Sequence, residues 1–179
     1  MGIFDLLGFT TVENSIWNAI SYGAFVAIII GVFSERFRNI LITLGAVVLA
    51  IYAEVFLKNP LFATLQTLIV VSGLLQIANL RRHFVVIAMM ALTIVAYLFL
   101  FLSGVIADGW VLAGSFGLLG IAFGLVTLPN RFGFLLMASG GVLLIIYAFR
   151  VGAWVFFLLN IFFIIANLYT WQKTRGVSA

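Results

Sequence analysis

From Phe84 to Ser103 the chain runs without a single charge. A helix over that stretch is about 30 Å long at 1.5 Å per residue, the depth of a bilayer's hydrocarbon core. Six further runs of similar length surround it. The hydropathy pattern predicts spans at Ile16–Phe33, Asn39–Phe56, Leu61–Leu80, Phe84–Ser103, Gly109–Leu128, Phe132–Phe149 and Val151–Trp171. Short charged joints separate them, "SERFRN", "LKNP" and "LPNR" among them. Pro60 and Pro129 fall at span ends, where a missing amide hydrogen does little harm. The expected class is therefore all-α: a polytopic membrane protein with seven transmembrane helices.

Composition agrees. Hydrophobic residues fill 65% of the 179 positions, charged residues only 8%, and mean hydropathy is +1.32. A soluble domain is nearer half apolar and a quarter charged. Seven crossings put the termini on opposite sides. Arg36, Arg38, Arg81, Arg82, Arg131, Lys173 and Arg175 then share one side, against Lys58 and Arg150 on the other. The positive-inside rule makes the first side cytoplasmic, with the N-terminus outside a cell inner membrane. The lipid bilayer is thus the first partner, and the net charge of +4 calls for no nucleic acid. Residues 1–15 read as an interfacial segment, with Ile3, Phe4, Leu7 and Phe9 toward lipid, and 173–179 as a cytoplasmic tail.

An internal repeat organises the spans. Arg36–Ala53 laid on Arg131–Ala148, 95 residues on, matches at Arg36/Arg131, Gly45/Gly140 and Tyr52/Tyr147 among other positions. "SYG" at Ser21–Gly23 faces "SFG" at Ser115–Gly117. "IANL" occurs twice, at Ile77–Leu80 and Ile165–Leu168, 88 residues apart. On that spacing the joint into the last helix is seven residues shorter in the second half. The chain then divides into a first triplet at 16–80, a linker helix at 84–103 and a second triplet at 109–172. One helix between the triplets leaves them parallel, related about the membrane normal.

This plan of three, one and three helices resembles the SWEET, PQ-loop and nicotinamide riboside transporters. The ending "LLNIFFIIANLYTWQKTRG" also resembles small bacterial inner-membrane proteins of the YgjV type. The PQ pair itself is absent, and neither the first nor the fifth span has a mid-helix proline. SWEET-like transporters place asparagines of their third and seventh helices at a central site. The resemblance carries that role to Asn160, with Ser72 as its partner on the "IANL" register. Gln76 joins the Ser72 stripe one turn on. Tyr52 and Tyr147 are repeat-related aromatics that either stack on a solute or sit in the interfacial belt. The resemblance implies a transporter or facilitator of a small neutral or weakly charged solute. The alternative is a non-transporting membrane subunit whose surface takes a protein partner or a second copy.

Other chemistries are poorly supplied. The chain has no cysteine, one histidine and five acidic residues. His83 lies at a boundary beside Arg81 and Arg82, so neither a metal centre nor a haem ligand is expected. No catalytic set can be assembled, so no enzyme and no cofactor are expected. Gly114, Gly117, Gly120 and Gly124 mark close helix packing on the fifth span.

Overall fold

The computed structural model describes residues 12–34, 36–127 and 130–173, and among these every regular element is helical. The helices are α1 (Val12–Phe33), α2 (Arg38–Ile51), α3 (Pro60–Ile77), α4 (Arg82–Leu102), α5 (Gly109–Thr127), α6 (Arg131–Arg150) and α7 (Trp154–Lys173). A π-helical turn, Tyr52–Phe56, continues α2. Six of the helices are long and apolar enough to cross a membrane. The apolar part of α5, Gly109–Leu125, is shorter. The predicted interfacial contacts of Ile3, Phe4, Leu7 and Phe9 lie outside the described residues, as do Pro129 and Arg175. Val12–Ser15 belong to α1 and not to a separate segment.

Local chemistry sets the boundaries. The Asn59 side chain accepts from the Phe62 amide (3.1 Å), capping α3, whose first residue is Pro60. Asn130 caps α6 through the Phe132 amide (3.1 Å), and Asp108 accepts from the Trp110 and Val111 amides (2.8 Å each) ahead of α5. Lys58 (φ 48°) and Gly152 (φ 69°) turn the chain out of α2 and α6 in the left-handed region.

Packing follows chain order within each half. α2 packs on α1 and α3, and α6 packs on α5 and α7. The halves meet where α1 touches α7 and where α3 touches α5, with α4 laid against α3 and α5. Glycine governs the closest approach. A Cβ on Gly117 would lie 2.8 Å from the Gly140 carbonyl oxygen, and one on Gly124 would lie 2.8 Å from that of Gly133. One on Gly114 would meet the Tyr147 ring at 2.8 Å. All four α5 glycines therefore face α6 along most of its length, as small-residue contacts do in lipid. The outer surface is greasy: Leu102 is 81% exposed and Phe99 63% exposed on α4. Exposed apolar side chains at that density suit hydrocarbon rather than water.

The buried positions of the two halves coincide at nearly constant spacing. Thr43, Gly45, Ala46, Leu49, Tyr52 and Ala53 are buried on the α2 strip, and so are Ala138, Gly140, Gly141, Leu144, Tyr147 and Ala148, each 95 residues on. Every buried residue of α7 (Val155, Phe156, Leu159, Asn160, Asn167) follows a buried residue of α3 by 94, namely Leu61, Phe62, Leu65, Gln66 and Gly73. The 88-residue spacing of the two "IANL" phrases does not match burial in this way. Asn79 is exposed beyond the end of α3 at φ 51°, whereas Asn167 is buried within α7. The joints Leu57–Asn59 and Val151–Ala153 are equally short, so the predicted seven-residue difference is not there. It lies at the far end, where α7 continues to Lys173 and α3 stops at Ile77. The phrase thus sits at two different distances from the joints, and on the 94-residue spacing of burial Asn160 falls on Gln66, where the phrase had set it on Ser72.

Candidate functional site

At the end of the bundle holding the α2–α3 and α6–α7 joints, four rings fill the centre. Phe62 of α3 and Phe156 of α7 stack nearly parallel, with centroids 4.2 Å apart and an interplanar angle of 4°. Tyr147 lies 5.3 Å from Phe62, and Tyr52 lies 6.3 Å from Phe156. The quartet therefore alternates between the halves, each tyrosine against the other half's phenylalanine. Stacking of this kind adds about 1 kcal/mol per pair beyond area burial.

Both tyrosines are 4% exposed, so they are bundle residues and not members of an interfacial belt. Burial requires a partner for each hydroxyl. Tyr52 Oη donates to Asn18 Oδ1 of α1 (2.6 Å), and Tyr147 Oη accepts from Asn59 Nδ2 (2.9 Å). Tyr52→Phe is expected to lower stability by about 1 kcal/mol, because a buried donor is lost without a cavity opening. Thermal unfolding of the purified variant in detergent checks this, and an unchanged midpoint would deny the bond its weight.

One helical turn below the stacked phenylalanines lie two carboxamides, Gln66 on α3 and Asn160 on α7. Asn160 is 3% exposed and donates through Nδ2 to the Phe156 carbonyl (2.7 Å). Gln66 is 1% exposed, and among the described residues neither its Nε2 nor its Oε1 has a hydrogen-bond partner. An unpaired buried polar atom costs about 1–3 kcal/mol. Gln66 therefore holds a donor and an acceptor, in one plane, that no described residue pairs.

The remaining predicted residues stand apart from this group. Ser72 is buried, but it lies toward the other end of α3 and accepts from Gln76 Nε2 (3.2 Å). Gln76 is itself exposed. The two satisfy each other on one helix, and Asn160 corresponds in burial to Gln66 rather than to Ser72. The structure thus brings Asn160, Tyr52 and Tyr147 to the central group and leaves Ser72 and Gln76 outside it.

Sequence reasoning missed Phe62, Phe156, Gln66, Asn59 and Asn18. The 95-residue spacing of the Tyr52 and Tyr147 helices, carried across the next joint, would have reached Leu65/Asn160 and thus missed Gln66 by one residue. That one residue is the extra position accommodated by the π turn. Compared with known proteins, the chain matches no family model, no curated protein and no solved structure at a significant level.

Proposed function

We propose that the protein is a small-solute transporter or facilitator, with its path between two parallel three-helix repeats and the Gln66–Asn160 level as its central site. The observation that carries this reading is the buried carboxamide of Gln66, unpartnered among the described residues. A packed structural core satisfies such a group or replaces it with an apolar one. A site that exchanges a polar solute for water keeps it free.

Coincident burial at spacings of 94 and 95 supports the two-repeat plan, with α4 as the linker. The α5 glycines run along α6 from Gly114 at Tyr147 to Gly124 at Gly133, so α5 reaches as deep as the helix it lies on. We take α5 as a seventh crossing on that ground. The arginine-rich ends then lie in the cytoplasm, and the aromatic quartet closes the outer end. A bacterial inner membrane suits that orientation.

The buried polar residues are Asn18, Ser21, Thr43, Gln66, Ser72, Thr93, Ser115, Asn160 and Asn167, all neutral among the described residues. An ion at the centre would find no opposite charge there and would bear its full desolvation cost. The fitting solute is therefore neutral or weakly charged and able to give and accept hydrogen bonds. Uptake of labelled candidate solutes into proteoliposomes tests the reading. Asn160→Leu is expected to cut the uptake rate at least tenfold for the solute that wild type carries, the loss of one strong polar contact. Equal uptake by the variant would take Asn160 out of the path, and no uptake of any solute by wild type would overturn the reading.

A further inference from the structure

We infer that the segment Tyr52–Pro60 is the moving part of the outer seal, with the π-helical turn as its hinge and Asn59 as its latch. This end of the bundle is the outer one on the orientation of the proposed function, and the device requires no particular solute.

The two joints differ by one residue in backbone pairing. After Tyr147 the Val151 amide bonds the Tyr147 carbonyl four residues back, in α register (3.1 Å), and the Ala153 amide closes the helix exit on Ala148, five back (2.9 Å). After Tyr52 the Leu57 amide bonds the Tyr52 carbonyl (3.0 Å) and the Asn59 amide bonds Ala53 (2.9 Å). Each of these bonds spans one residue more than its counterpart. A π turn is an α-helix carrying one inserted residue, and such turns recur where a helix changes register. Returning this one to α register would rotate everything after it by about 100° and shift it about 1.5 Å. Lys58, held at φ 48° without being glycine, adds local strain that such a change would release.

That rotation acts on the contacts that close the centre. Asn59 caps α3 through Oδ1 and reaches across the halves through Nδ2 to Tyr147 Oη (2.9 Å). Tyr52 begins the segment and Phe62 follows it, and they supply the first half's two rings in the quartet. Tyr147 and Phe156 stand on helices joined by an ordinary α-helical exit. Opening therefore swings the first joint away from a stationary second one.

The absence of cysteine makes the test clean. Gln66→Cys puts a single thiol beneath the stacked rings, and a charged methanethiosulfonate reads its exposure in nanodiscs. Adding Asn59→Ser keeps a capping oxygen for α3 but cannot span to Tyr147. Labelling should then quicken roughly tenfold, the equivalent of one net hydrogen bond. Asn59→Asp can still cap α3 and accept from Tyr147 Oη, so it should label as slowly as the parent. A slow Asn59→Ser or a fast Asn59→Asp overturns the latch. The hinge is read on the unaltered chain by hydrogen exchange: the Leu57 and Asn59 amides should exchange at least tenfold faster than those of Val151 and Ala153. Equal protection of the two joints overturns the hinge. Neither measurement uses a solute, so a failure of uptake leaves this device standing, and a failure of the device leaves uptake standing.

Discussion

Replacing Gln66 with methionine is expected to stabilise the protein and to stop solute movement. The two side chains are similar in length, so the change removes two polar atoms without opening a cavity. Gln66 is 1% exposed and both of its polar atoms lack a protein partner among the described residues. Each such atom costs about 1–3 kcal/mol, part of which a transient water recovers. A net gain of about 2 kcal/mol follows, or roughly 5 °C in the unfolding midpoint of a chain this size. Uptake should fall to the level of empty liposomes, since the replacement offers a thioether where a donor and an acceptor stood. Opposite movements in stability and activity are the signature of a residue kept for function. Thermal unfolding in detergent and uptake in proteoliposomes decide the matter. A variant that is no more stable than its parent and still transports would make Gln66 an ordinary packing residue.

Hydropathy was enough to read the helical class and six helices long and apolar enough to cross a membrane, because hydrocarbon imposes both length and composition on a crossing helix. Tyr52 and Tyr147, paired in the second-helix alignment, are both buried. The candidate site was less legible. Its register hung on a phrase, "IANL", whose copies differ in setting: one ends a helix and the other lies inside one. Apolar sequence repeats itself by composition, so a four-residue match measures depth poorly. Phe62 and Phe156 were hidden for a related reason. The chain holds 19 phenylalanines, and nothing in a single sequence separates two that stack across the centre from those that face lipid. Asn59 looked like a loop residue and helix cap, which it is. Its second bond, to Tyr147, depends on how the halves come together.

Gly23 and Gly117 close the similar triplets "SYG" and "SFG", yet their replacement by alanine should move stability in opposite directions. A Cβ at Gly23 would have nothing within 4 Å, so Gly23→Ala gains helix propensity at no steric cost. The expected gain is about 0.5–1 kcal/mol. A Cβ at Gly117 would stand 2.8 Å from the Gly140 carbonyl oxygen and 3.1 Å from the Leu144 amide nitrogen, both backbone atoms of α6. Neither can rotate aside, so α5 and α6 would have to separate. The same separation loosens Gly120 against Gly140 and Gly124 against Gly133, where the helices are equally close. With no hydrophobic drive between helices in lipid, lost dispersion contact is lost stability. Gly117→Ala should therefore cost about 2–3 kcal/mol, well beyond the propensity it gains. Unfolding of the two variants in detergent, side by side, provides the check. A shift of the same sign in both would mean that the α5–α6 spacing is not set by glycine and that α5 need not run the depth of α6.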